Sequence, residues 1–137
     1  MYKKKLFKNQ LFLIPLVFFM AMSCIAGNRS DQISLEVVAT AYNSLANQTN
    51  KNPAITAWGD KLKPGMKSIA VSRDLIALGL VHKTEVSIEG FPGTYKVLDK
   101  MNKKWKKRID IYMGTDVKAA KKWGKKTVKI SWKRTKK

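Results

Sequence analysis

Six short segments, five that alternate apolar and polar residues and one, SIAVS, that is compact and mostly apolar, constrain this chain more than any other feature. They are ISLEVVATAY (33–42), SIAVS (68–72), TEVSIEG (84–90), TYKVLD (94–99), RIDIYM (108–113) and KTVKISW (126–132). A period of two buries one face of a strand and wets the other, so these segments predict β-strands rather than helices. Turn residues separate them: Pro64-Gly65, Gly90 and Pro92-Gly93. The last two make a hairpin of the third and fourth segments. Only two stretches suit helices. RDLIALG (73–79) allows one or two turns ending at Gly79, and Thr115 or Asp116 can cap a short helix that runs to Trp123 and stops at Gly124. NSLANQTNKNP (43–53) reads as a loop and ITAWG (55–59) as a short extended piece. Strands this short and numerous favour a closed barrel, because closure removes exposed edges. The expected fold is mainly β, a six-stranded barrel with one or two short helices over residues 33–133.

The first residues have a different character. MYKKKLFKNQ carries four lysines, LFLIPLVFFMAM is apolar apart from Pro15, and small residues follow at Ser23, Ala26 and Gly27. That order is the pattern of a secretory signal peptide over residues 1–23, and the apolar run is short of the ~20 residues of a spanning helix. Ala21-Met22-Ser23-Cys24 is similar to a bacterial lipobox, with Ala21 where leucine is usual. Lipidation at Cys24, which would attach the chain to a membrane, and simple cleavage near Ser23 or Ala26 both remain open. Residues 24–32 read as a polar tether and 134–137 as a basic tail. The place of action expected is the cell envelope outside the cytoplasm, whether periplasm, outer-membrane lipoprotein or secreted protein.

The whole chain has a formal charge of +19. Without residues 1–23 it keeps 24 basic residues against nine acids, a charge of +15. Such a charge attracts polyanions. Export makes nucleic acid the weakest of these partners and an anionic wall polymer the better one. His82 and Cys24 are the only residues of their kinds, so the sequence offers no zinc or copper ligand set, and no metal or cofactor is expected. A single histidine leaves no persuasive Ser-His-Asp arrangement, and no glycine-rich phosphate loop follows a strand.

Carboxylates remain. Asp31, Glu36, Asp60, Glu85, Glu89 and Asp116 lie in tether, strand-face, turn or cap contexts where solvated roles suffice. Asp74, Asp99 and Asp110 lie at the edges of strands or inside one. Asp110 alternates with Ile109 and Ile111, and so shares a face with Arg108 and Tyr112. An acid in such a strand is either paired with a cation or functional. Between Asp99 and Asp110 runs a loop with Lys100, Lys103, Lys104, Lys106, Lys107 and Arg108 around Trp105. Tyr42, Trp58, Trp105 and Tyr112 are candidates to stack on sugar rings, with Trp105 the most exposed by its context. Thr40 and Thr56 are candidate hydrogen-bond donors.

Taken in order, TAY (40–42), TAWG (56–59), IAVSRDLIALG (69–79), YKVLDK (95–100), RIDIYMG (108–114) and AxxWGxKxVxISW (120–132) resemble the 3D (Asp-Asp-Asp) domain family. That family is the double-psi β-barrel module also found at the C-terminal end of membrane-bound lytic transglycosylase A. The resemblance covers about residues 37–132 and implies a double-psi barrel whose three acids line a groove for peptidoglycan glycan strands. Asp110 matches the catalytic acid/base and Asp99 the second acid. Where the family commonly has AVDP this chain has AVSR, so Ser72 stands at the first acid's place, with Asp74 two residues on as its replacement. The family's glycine-rich loop is replaced here by DKMNKKWK. The implied reaction needs no water. One acid protonates the glycosidic oxygen between N-acetylmuramic acid and N-acetylglucosamine. It then takes the proton of the sugar's own 6-hydroxyl as that oxygen attacks the anomeric carbon, giving a 1,6-anhydro product. Asp110 must therefore be protonated near neutral pH, and an ion pair with Arg108 would disable it. The alternative is a monomeric barrel of the same fold, catalytically silent, holding wall glycan in its basic groove.

Overall fold

The structure is a computed structural model that describes residues 31–44 and 54–134. The signal peptide, Cys24, most of the tether and the last three residues of the tail lie outside the described residues. Six strands and two short helices follow one another: β1 (Gln32–Tyr42), β2 (Ser68–Val71), α1 (Arg73–Ala77), β3 (Glu85–Ile88), β4 (Thr94–Lys100), β5 (Arg108–Tyr112), α2 (Val117–Trp123) and β6 (Lys126–Lys133). The strands close into one barrel in the order β1-β5-β2-β4-β3-β6. Two neighbouring pairs run parallel, β1 with β5 and β2 with β4, and the other four are antiparallel. This is the mainly β, six-stranded barrel that the alternating segments predict.

The interior is built from the apolar half of each alternation. Val37 and Ala39, Ile69 and Val71, Val86 and Ile88, Ile109 and Ile111, Val128 and Ile130 all lie buried in one cluster. Leu75 and Leu80, from α1 and the turn after it, complete that cluster. Each such side chain contributes roughly 1.5–3 kcal/mol through burial. α1 is brief, and Ser72 at its N-cap makes no side-chain cap bond. The Ser72 hydroxyl instead accepts the Arg108 N–H at 3.0 Å. α2 starts as expected: Asp116 accepts from the Ala119 N–H at 2.9 Å, and Gly124 with φ 66° ends it.

Two local features depart from the alternation. ITAWG is not extended. Ile55 bridges Lys61, and the chain between them turns back with Gly59 at φ +88°. The Thr56 hydroxyl accepts the Asp60 N–H at 3.0 Å and fixes that turn. The second departure is a bulge where β2 meets β4: Ile69 lies opposite Val97 but Ala70 opposite Asp99. Leu98 is the extra residue. Strict alternation after buried Val97 would send Asp99 into the core. The bulge resets the phase, and Asp99 shares the outer face with Ala70. On that outer face a second small cluster forms from Leu62, Leu98 and Tyr112, with Tyr42 against it. The segment containing Leu62 packs closely there, because Pro64 Cα lies 3.3 Å from where a Cβ on Gly114 would sit.

Candidate functional site

The barrel register brings the acids together. Thr40 on β1 lies opposite Asp110 on β5, Asp110 opposite Ala70 on β2, and Ala70 opposite Asp99 on β4. Residues directly opposite in a sheet point to one face. Thr40, Asp110, Ala70 and Asp99 therefore make one row across four strands on the outside of the barrel. The two acids flank Ala70, two strand spacings or about 10 Å apart at the backbone. Between them stands Ala70, itself buried, and the Tyr42 phenol lies near enough to feel both charges.

The two carboxylates are held differently. The Thr40 hydroxyl donates to Asp110 Oδ1 at 3.0 Å. Arg108 shares Asp110's face, yet it makes no ion pair with it. Its guanidinium carbon lies 4.0 Å from the centre of the Trp105 ring instead. Burial pushes the Asp110 carboxyl above its ordinary proton affinity and Asp99 adds to this, against the opposing pull of Thr40 and Arg108. Asp99 Oδ1 accepts the backbone N–H of Ala57 and of Lys100, both at 2.8 Å. It thus ties the 55–61 turn to the row.

Other expected site residues take structural places. Asp74 does not join the row. Its Oδ2 accepts the Lys107 N–H at 2.9 Å, so it anchors the basic loop. Burial raises its proton affinity, but the bonds from Ser72 and the backbone of Lys107, with the charge of Lys106, outweigh that and hold it below the usual carboxylate range. Ser72, at the first acid's place, is fully buried. Thr56 is buried in its turn. Tyr42 and Tyr112 pack against each other with ring centres 5.4 Å apart, and Tyr112 is also bonded to Ser44 at 3.0 Å. Their rings are packed in the outer cluster rather than offered as platforms. Burial, with the charges of Asp99 and Asp110, drives the Tyr42 phenol far above its usual range and keeps it neutral. Trp105 is exposed, but Arg108 and Lys104 both lie against its ring.

Trp58 stands beside the row in a group the sequence did not suggest. Its ring stacks on His82 at 4.9 Å, and His82 Nε2 pairs with Asp60 Oδ2. Lys100 Nζ lies 5.5 Å from the Trp58 ring centre. Asp60, read from the sequence as a solvated turn acid, and His82, read as a surface or packing residue, hold Trp58 in place near Asp99. Spacing gave no signal for this, since 22 residues separate the partners. Among the described residues no group of three His, Cys, Asp or Glu side chains could hold a metal. A cavity of about 410 Å³ opens on another arc of the barrel, lined among others by Gln32, Thr84, Ser87 and Ser131, and the acid row takes no part in it.

No family model matches the chain, and no curated protein matches it. Solved structures do. The apo form of an expansin from Clavibacter michiganensis aligns with a TM-score of 0.49 at 17% identity, over 77% of this chain and 52% of that one. A mutant of the same organism's expansin, in complex with cellohexaose, aligns with a TM-score of 0.44 at 18% identity, over 76% and 51%. The chain spans about half the length of these structures.

Proposed function

We propose that this protein binds peptidoglycan glycan strands in the cell envelope, laying a sugar chain across the Thr40–Asp110–Ala70–Asp99 row without cutting it. One observation carries the reading: two carboxylates without ion pairs lie on one outer row on either side of Ala70, Asp110 partly buried and Asp99 under the 55–61 turn, while the third acid's place holds buried Ser72 and Asp74 is spent on the basic loop. The second oxygen of each carboxylate can accept a hydrogen bond from a sugar hydroxyl, and Thr40 fixes the orientation of the Asp110 carboxylate. Trp58, partly buried and held by His82, stands beside the row. The motif resemblance to the 3D domain family and the signal-peptide pattern support wall glycan as the polymer, with Cys24 as the membrane attachment where it is lipidated. The protein acts as a monomer in this reading, with no nucleic acid and no cofactor.

A specific observation favours a second reading, a lytic transglycosylase. Asp110 has a raised proton affinity, and Arg108 is turned onto Trp105 instead of neutralising it. In that case Asp110 gives its proton to the glycosidic oxygen and retakes one from the 6-hydroxyl that attacks the anomeric carbon. Asp99 keeps the Asp110 proton in place by repulsion.

One experiment separates them. The full chain and its Asp110→Asn variant are incubated with purified peptidoglycan, and both sedimentation with the wall and released products are measured. Binding without release supports the binder. Anhydro-muropeptides from the wild type alone would establish the enzyme and assign Asp110. Failure to sediment with the wall, with no release, would refute both.

A further inference from the structure

The loop between β4 and β5 has a property that its composition does not predict. Lys103, Lys104, Lys106 and Lys107 are all exposed, and none makes an ion pair with a described residue. Four neighbouring cations repel one another, and such a loop left to itself would spread and move. Here its backbone is tied along its length. The Met101 N–H donates to the Val71 carbonyl at 2.9 Å. Arg73 Nε donates to the Met101 carbonyl at 3.2 Å. Asn102 accepts twice, from the N–H of Lys104 and of Trp105, both at 3.1 Å. At the far end the Lys107 N–H reaches Asp74 and the Lys107 carbonyl accepts from Val38 at 3.0 Å. Lys107 itself sits at φ 45°, a conformation that costs free energy outside glycine and persists only where surroundings impose it.

Repulsion and backbone strain would both be relieved by a looser loop. The anchors oppose them and hold the backbone of the four lysines in one place, which keeps their ammonium groups in an array over one short stretch of surface. A multivalent anion that binds there must still order the lysine side chains, but it does not have to order the loop that carries them. The array also lies close to the acid row: Arg108, the first residue after the loop, is two residues from Asp110 on the same strand and face, or about 7 Å.

We propose that residues 101–107 form a preorganised anion-binding loop for an acidic polysaccharide, with Asp74 as its positioning residue. The proposal rests on the glycan-binding reading and deepens it by naming the class of glycan. The polymer is one that carries regularly spaced carboxylate or phosphate groups, its charges on the lysines and its sugar rings continuing along the acid row. Asp74, an acid within a cationic array, weakens anion binding by its charge and strengthens it by its hydrogen bond to Lys107.

Those two effects have opposite signs, and this makes the proposal testable. Binding of the full chain to polygalacturonate, to a phosphate-bearing wall polymer and to an uncharged chito-oligosaccharide of similar length is measured over a range of salt. Lys103→Gln, Lys104→Gln, Lys106→Gln and Lys107→Gln combined should weaken binding to the acidic polymers about tenfold or more and flatten its salt dependence. Binding to the uncharged oligosaccharide should not change. Asp74→Asn keeps an acceptor for the Lys107 N–H and loses the charge, so it should bind the acidic polymers at least as tightly as the wild type. Asp74→Ala loses the same charge and should nevertheless bind several-fold more weakly, with a melting curve recorded to show that the barrel is folded. Equal binding by the alanine and asparagine variants would overturn the positioning role. Undiminished binding by the quadruple variant would overturn the site, as would tighter binding of single-stranded DNA than of either acidic polysaccharide at equal salt. The two acidic polymers separate carboxylate from phosphate as the preferred group. Loss of the uncharged oligosaccharide on Asp110→Ala, with acidic binding intact, would locate the sugar contact at the row. Absence of uncharged binding in the wild type would refute the row while leaving the loop standing.

Discussion

Asp110→Asn should stabilise the protein at neutral pH, although it alters the centre of the candidate site. The Asp110 carboxyl is largely withdrawn from water and faces the field of Asp99, and the Thr40 hydroxyl and the Arg108 charge only partly compensate. Its proton affinity in the fold therefore exceeds that of the unfolded chain. The linkage has a definite sign. Below the unfolded value of about 3.8 both states hold the proton and the acid costs nothing. As pH rises through the folded value the native state must give up a proton it holds more tightly, so stability falls and then stays low. Each tenfold excess in proton affinity costs about 1.4 kcal/mol at neutral pH. Asparagine is close in shape and can accept the Thr40 hydrogen bond, but it has no charge to desolvate. Two-state urea unfolding of both chains from pH 3.5 to pH 8 measures the difference. The variant should match the wild type at the acid end and be the more stable of the two at pH 7, its melting temperature rising by about 4–8 °C for each 1 kcal/mol gained in a domain of this size. An asparagine variant less stable than the wild type at pH 7 would refute the account. It would mean that the carboxylate is stabilised in place by a cation, and neither reading of the site could stand.

Other perturbations test the scaffold around the row. Ile111→Ala removes a fully buried barrel side chain and should cost about 2–5 kcal/mol in chemical denaturation. Gly114→Ala should cost roughly 1–2 kcal/mol in the same assay, because φ is +60° and Pro64 stands 3.3 Å from the new methyl. Asp60→Ala breaks the pair with His82, in which the His82 and Asp60 side chains are 32% and 23% exposed, so the stability loss should be about 1 kcal/mol. The same variant should increase Trp58 fluorescence mobility and weaken oligosaccharide binding. Asp116→Ala removes the α2 cap and should cost about 0.5–2 kcal/mol, without any change in glycan binding.

The strands were legible because alternation is a local signal, and burial of Val86 with Ile88, or Val128 with Ile130, follows from it directly. The cap at Asp116 and the stop at Gly124 were equally local. What alternation could not supply was the phase of Asp99. A bulge at Leu98 depends on the pairing of β2 with β4, which no segment carries by itself. Asp110 was placed on the correct face by the same alternation, but the freedom of its carboxylate depends on where Arg108 turns, and Trp105 decides that through a contact outside the strand. Asp74 was grouped with the other acids because it lies near Ser72 in sequence. Its hydrogen bond to Lys107, 33 residues on, gives it another task. His82, Asp60 and Trp58 converge through the folding of two loops, a kind of contact that periodicity does not encode.

The seam between the first and last strands has a mechanical consequence. β1 and β6 are antiparallel from Gln32 opposite Lys133 to Ala39 opposite Lys126, and the Arg134 N–H still reaches the Asp31 carbonyl beyond them. Both described ends of the chain therefore leave from one point. Tension applied between those ends would peel the seam open one rung after another, at low force. Tension between the start of β1 and a polymer held on β5 acts on a different geometry. There the strands run parallel from Val38 opposite Arg108 to Tyr42 opposite Tyr112, and the rungs are loaded together in shear. A barrel fixed at its N-terminal end and gripping a taut polymer at Asp110 would resist pulling along its stronger axis.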